Sequence, residues 1–176
     1  MANGMVNVIT ERPEVPEGYG LPENDEGMLE WVWAEERLVS AANYWISTVR
    51  PDGRPHVTPV WGVWHEGAFY FDGSDQTRRM KNIAVNPEIA VHLESGDEVV
   101  IVEGSAASEA VPPERGLAAR LAALYTAKYA AYDYSPEPDQ WDAGGLYVLR
   151  PRKALGWTLR PGDEFGKTYT RWRFTG

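Results

Sequence analysis

The stretch STVRPDGRPHVTPVWGVWHEGAFYFDGSDQTRRMKNIAVNPEIAVHLE, residues 47–94, decides the fold. It opens inside NYWISTVR (43–50), where Tyr44, Trp45, Ile46, Thr48 and Val49 favour a strand. Pro51-Asp52-Gly53 is a turn, because proline presets its φ and glycine accepts φ > 0. RPHVTPVWGVW (54–64) predicts a second strand. Pro59 inside it cannot donate to a ladder, so it marks a sheet edge, a bulge or a place where something else approaches the backbone. His65-Glu66-Gly67 turns the chain into AFYFDG (68–73), a third strand. Two hairpins in succession predict an antiparallel meander. Ser74-Asp75 offers a helix cap, and QTRRMKNIAVN (76–86) carries Met80, Ile83 and Ala84 at helical spacing until Pro87 stops it.

Working outward, EIAVHLES (88–95) and EVVIVEGSAASEA (98–110) predict two more strands around Gly96-Asp97. Leu117, Leu121, Leu124 and Tyr125 form a stripe that predicts a helix over 113–132, and residues 133–143 form a polar loop. GLYVLRPRKALGWTL (145–159) and KTYTRWRF (167–174) predict closing strands. Upstream, Asn24 or Asp25 caps a helix whose apolar face holds Met28, Val32, Val39 and Ala42, with Trp31 beside it and Glu35 interrupting it. Residues 1–25 have no period and are rich in Pro, Gly and Glu, as in an extended or disordered arm; residues 26–176 form one domain. An antiparallel sheet of about seven strands usually closes into a barrel to remove its edges.

Composition narrows the function classes. The 176 residues carry a net charge of −9, which speaks against a nucleic-acid partner. There is no cysteine, which excludes a disulfide scaffold, a thiolate metal site and a Cys nucleophile, and fits a reducing cytoplasm. No apolar run approaches the ~18 residues of a membrane helix, and the first twenty residues lack a signal-peptide layout, so no membrane partner is expected. His56, His65 and His92 have no metal-ligand spacing, and no bound metal is expected. No P-loop, dinucleotide fingerprint or nucleophile elbow is present.

Two features carry chemistry. Arg78, Arg79 and Lys81 crowd the first turns of the short helix, flanked by Thr77 and Asn82. Cations there oppose the helix dipole unless an anion joins them. The bland alternative is a solvated basic face. The second feature is Val57-Thr58-Pro59-Val60-Trp61, where a proline-broken strand frees backbone groups beside an indole. A planar ring with hydrogen-bonding edges would use them; the bland alternative is an ordinary edge strand.

In this order, the hairpin around PDGRPHVTPVW, the following EGAFYF strand, the TRRMKN helix start and the NPEIAV strand resemble the pyridoxamine 5′-phosphate oxidase-like flavin-binding split β-barrels. The resemblance covers about residues 28–110, and the closing strands match more loosely. It implies a mainly β, six- to seven-stranded antiparallel split barrel with flanking helices. It also implies a homodimer whose flavin or deazaflavin lies in a groove between the subunits. The strand at 57–61 would then lay its backbone along the ring, through Thr58, Val60 and Trp61. Arg78, Arg79 and Lys81 would neutralise the cofactor phosphate, with Thr77 and Asn82 adding hydrogen bonds. The true pyridoxamine phosphate oxidases carry Arg where Thr58 stands and Lys where Val63 stands, so the vitamin B6 reaction is not implied.

The resulting expectation is a cytoplasmic, homodimeric oxidoreductase that transfers hydride to a small molecule through FMN or the deazaflavin coenzyme F-420, with no general acid or base assigned. The rival expectations are a non-catalytic flavin- or haem-binding protein on the same barrel and an acidic protein-interaction module.

Overall fold

One long strand organises the molecule. The computed structural model describes residues 7–16, 18–160, 162 and 166–175. Its elements run β1 (Asn7–Glu11), α1 (Trp31–Ser40), β2 (Tyr44–Val49), β3 (Pro55–Val60), β4 (Val63–His65), β5 (Ala68–Asp72), α2 (Arg78–Ile83) and β6 (Glu88–His92). After them come β7 (Glu98–Ser108), α3 (Arg115–Tyr129), two short 3-10 turns (Ala130–Tyr132 and Pro138–Trp141), β8 (Leu146–Thr158) and β9 (Thr170–Thr175). β8 pairs along its length with β7, while its first residues also pair with β5 and its later ones with β9. The sheet order is β1-β9-β8-β7-β6-β2-β3, with β5 joined to β8 and β4 to β5. All of these pairings are antiparallel, as an antiparallel split barrel requires.

Because β8 changes partners, it borders two cores. Leu149 and Ala154 lie in a cluster with Ile46, Phe69, Phe71, Val91, Val102 and Trp172. Leu146 and Val148 lie in the other, with Val63, Tyr70 and the α3 residues Leu121, Tyr125 and Tyr129. Complete burial of large rings such as Tyr125, Tyr129, Trp141 and Trp172 is the main hydrophobic contribution here.

Several sequence expectations need adjusting. The 1–25 segment includes a paired strand: β1 runs against β9, and Glu11 bridges Arg171 and Arg173, so residues 7–11 are extended but not a free arm. Arg12 continues the attachment by donating to the carbonyls of Asn24, Glu26, Gly166, Lys167 and Tyr169. The single strand read at 54–64 is two strands, and its break falls at Trp61-Gly62 rather than at Pro59. Pro59 lies on β3, the last strand of the sheet order, where a missing N–H costs no ladder bond. The meander is therefore divided: β2 pairs with β3 and β4 with β5, but β5 then joins β8.

The helix faces shift too. α1 begins at Trp31 after an N-cap, Glu30, that makes no side-chain capping bond. It buries Ala34 and Leu38, while Val32 and Val39 are 58% and 51% exposed. Tertiary contact chose that face: Trp31 packs on Trp64 and Trp172, and the Trp64 indole N–H donates to Glu35 at 3.0 Å. In α3 the buried stripe is Ala118, Leu121, Ala122, Tyr125 and Tyr129; Leu124 lies outside it.

Candidate functional site

The TRRMKN segment forms α2 as its residue types dictate. Thr77 is the N-cap; its hydroxyl accepts from the Met80 amide and donates to the Ser74 carbonyl. Met80 and Ile83 then fall on the buried side, against β2 and the first core. Arg78 and Lys81 remain exposed, whereas Arg79 is half-buried. Its guanidinium extends over β3, with Nη1 3.4 Å from the Thr58 hydroxyl. The Nε of Arg79 is buried without a hydrogen-bond partner. Burial pulls the Arg79 pKa below the usual guanidinium value, and Asp72 and Tyr147 oppose that pull. Gly73 makes room for the arrangement: a Cβ there would stand 2.9 Å from Nη2 of Arg79.

Asn82 takes a different place from the one expected. It is fully buried, its Nδ2 donates to Thr48 on β2 at 2.9 Å, and its Oδ1 has no partner. The amide therefore ties α2 to the sheet and is not presented to an anion outside the helix. Val60 is also a core residue, so its side chain packs inward and only its backbone borders the strand edge. Thr58 is partly exposed on the same strand, next to the exposed Val57.

Trp61 sits at the end of this edge. Its ring stacks on Tyr129 at 4.8 Å with a 15° tilt and lies within 5.4 Å of Tyr132 and 5.8 Å of Tyr134. The following Gly62 is pinned by α3: its N–H donates to the Tyr129 hydroxyl at 3.0 Å. A Cβ at Gly62 would come within 2.4 Å of the Phe69 ring, so no other residue fits this break without displacement.

Positive charge extends beyond Arg79. The His56 pKa is lowered first by burial and then by the fields of Arg50, Arg78 and Arg79. The β2–β3 hairpin and the α2 start thus share one basic strip in an otherwise acidic protein. Of the turn cations, Arg54 is engaged with Asp52 at 2.7 Å.

Sequence reading missed a polar group around Asp72, whose charge acts on Arg79. The Tyr134 hydroxyl donates to Asp72, and Gln140 Nε2 donates to Tyr134 at 2.8 Å and lies 3.4 Å from Asp72. Burial and the Asp72 carboxylate push the Tyr134 pKa up. These residues line a shallow, open depression of about 370 Å³ with Gly73, Trp141, Gly144 and Gly145. No local signal marks the group, because Asp72 lies more than sixty positions from Tyr134 and Gln140. Among the described residues no group of His, Asp or Glu is arranged to hold a metal ion, and no helix is long and apolar enough to cross a membrane.

Arg79 has an unsatisfied donor beside a hydroxyl and a glycine, and a strand edge and an indole adjoin it. Comparison with known proteins gives the chain's relatives. The family model described as pyridoxamine 5′-phosphate oxidase matches residues 34–157. No curated protein matches the sequence. Among solved structures, an F-420 reductase is similar at 26% identity, with a TM-score of 0.50 over 80% of this chain and 98% of that one. A FAD-binding protein from Mesorhizobium loti is similar at 14% identity and TM-score 0.55, over 82% and 95% of the two chains. A haem-binding protein from Mycobacterium smegmatis is similar at 20% identity and TM-score 0.55, over 81% of this chain and 57% of that one.

Proposed function

Since the chain belongs to the pyridoxamine 5′-phosphate oxidase family, we propose that it is an oxidoreductase that binds FMN across β3 and the start of α2. The observation that carries this reading is Arg79: a half-buried guanidinium, one nitrogen unpaired, directed over the strand edge that holds Thr58. Arg79 would hold the phosphate with the Thr58 hydroxyl, and the exposed Arg78 and Lys81 would add charge from the solvent side; the Thr77 hydroxyl, whose proton goes to the Ser74 carbonyl, caps the helix instead. The β3 edge and the Trp61 indole would flank the ring. Asn82 acts one step behind, fixing α2 on the sheet through Thr48. The bound flavin supplies hydride transfer, while the protein supplies orientation and exclusion of water. The open depression beside Asp72, Tyr134 and Gln140 would offer a small-molecule substrate polar contacts. The same reading expects a cytoplasmic homodimer whose second subunit closes the groove.

A specific observation favours F-420 as the second reading. Arg50 and Arg78 join Arg79 in acting on His56, more cations than one phosphate requires. A structure similar to this one is an F-420 reductase. Mass spectrometry of the cofactor that copurifies, with a visible spectrum before and after reduction, tests both. A yellow protein bleached by reductant and carrying FMN supports the first reading, and F-420 mass supports the second. A Soret band, or no uptake of either cofactor, refutes both.

A further inference from the structure

The α3 end carries a polar clamp that the site description leaves unexplained. β3 and β4 are interrupted for two residues, and the interruption has unpaired backbone groups to satisfy. Tyr129 accepts the Gly62 N–H, and its hydroxyl lies 2.9 Å from the Gly62 carbonyl and 2.8 Å from the Ala42 carbonyl. A hydroxyl has one proton, so it serves one of these two carbonyls at a time. Lys128 supplies the missing donors: its ammonium reaches the Ala41 carbonyl at 2.9 Å, the Tyr44 hydroxyl at 2.9 Å and the Gly62 carbonyl at 3.4 Å. Its three protons thus find three acceptors, none of them a carboxylate. Tyr129 meanwhile presents its ring to Trp61.

Resting on the flavin-type reading above, we propose that Lys128 and Tyr129 are positioning residues, which hold the Gly62 peptide and the Trp61 ring in the geometry that receives the cofactor ring. The clamp joins α3, in the second core, to the strand edge in the first. A carboxylate partner would have made Lys128 an ordinary ion pair. Three neutral oxygens instead make its charge costly, and the lysine remains because the Gly62 peptide needs a donor.

This cost gives the clamp a pH response. Burial brings the Lys128 pKa down to about 8. The titratable groups facing it are the phenols of Tyr44 and Tyr129, both pushed up by burial, Tyr129 to about 12. Neither phenol ionises near pH 8, so the change there belongs to Lys128. Its neutral amine has two protons for three acceptors, and the longest contact, to Gly62, is the one to weaken.

The test uses the full chain as wild type, Lys128→Met and Tyr129→Phe; the phenylalanine keeps the stack on Trp61. Hydrogen exchange of the Gly62 amide is read by NMR at pH 7, and the Gly62 amide shift is followed from pH 6.5 to 9. FMN, riboflavin and F-420 are then titrated in. Both variants should speed Gly62 exchange roughly tenfold and leave the amides of Val102 and Val148 unchanged. The Gly62 shift should inflect near pH 8 in wild type and not in Lys128→Met. FMN and riboflavin affinities should fall together, severalfold, because the clamp acts on the ring side. Unchanged Gly62 exchange overturns the clamp, as does faster exchange shared by the Val102 and Val148 amides. Faster Gly62 exchange with full cofactor affinity overturns the positioning role. If wild type binds none of the three cofactors, the proposed function falls, and the clamp is judged by exchange and pH response alone.

Discussion

Replacing Arg79 with alanine separates a phosphate site from a structural one. In the folded protein the guanidinium has one long contact, 3.4 Å to Thr58, and an Nε with no partner. Little stability rests on it, and its partial burial is a cost rather than a gain. A bound phosphate would change this balance by giving Arg79 one or two charge-assisted hydrogen bonds. Each is worth roughly 1.5–3 kcal/mol. One such bond lost corresponds to a weakening of about ten- to 150-fold at 1.4 kcal/mol per decade. Titration of the apo-protein by quenching of flavin fluorescence reads the effect directly, with FMN and riboflavin in parallel. Arg79→Ala should weaken FMN by that factor and riboflavin, which has no phosphate, by less than about threefold. The thermal midpoint without cofactor should hold or rise slightly. Equal losses for FMN and riboflavin would refute the phosphate assignment. So would a large fall in the midpoint, which would make Arg79 a support of the β3–α2 contact.

Other expectations follow from the same geometry. Trp61→Ala removes a stack on Tyr129 worth about 1 kcal/mol of stability, and should reduce flavin affinity at least tenfold; calorimetry beside a flavin titration checks the ratio, and unchanged affinity removes Trp61 from the site. Asn82→Ala should cost roughly 1–3 kcal/mol in urea unfolding, since it breaks a buried bond to Thr48, while moving FMN and riboflavin affinity equally. Lys128 binds its proton more weakly folded than unfolded, where its pKa is near 10.5, so its contribution to stability should rise with pH from about 8 toward 10.5. Lys128→Met should lack that rise in denaturation midpoints taken across this range. Above pH 10 the raised tyrosines reverse the trend in both proteins, because the unfolded chain ionises them first. Glu98 is held below the usual carboxylate range by Arg37 and Arg160. Its contribution is present above pH 4.5 and is lost as pH falls through its lowered folded value, so Glu98→Gln should flatten the acid limb of the stability curve.

The strand pattern between residues 43 and 110 was readable because alternation and turn residues are local signals. Pro51-Asp52-Gly53 closes a hairpin by its own backbone preferences, and the β2–β3 register follows from it. The faces of α1 were not readable. Val32 and Val39 look like core by type, but Trp31 and Glu35 are drawn in by Trp64 and Trp172, which lie 29 or more positions away. β1 was hidden for a related reason: its strand character comes from the edge of β9, at the far end of the chain. At the candidate site, charge and spacing singled out Arg79 and its neighbours, yet could not distinguish the half-buried Arg79 from the exposed Arg78 and Lys81. That distinction depends on how α2 packs on β2, which carries Arg79 to Thr58 on the neighbouring strand. The Asp72–Tyr134–Gln140 group joins Asp72 to two residues more than sixty positions away, and no local pattern announces it.

The strand at the N-terminus has a consequence for solubility. β1 occupies the outer edge of β9, at the opposite end of the sheet order from β3. Remove it, and TRWRFT presents a bare row of amides and carbonyls to any other extended chain. The two arginines in that row, Arg171 and Arg173, would lose Glu11 at the same moment. Freed of their partner, they would become like charges that repel a second copy approaching edge to edge. A chain shortened to begin at residue 12 would therefore be kept apart by its own cations in low salt and would associate as salt screens them. In this sense Glu11 conceals a safeguard that the folded protein does not otherwise use.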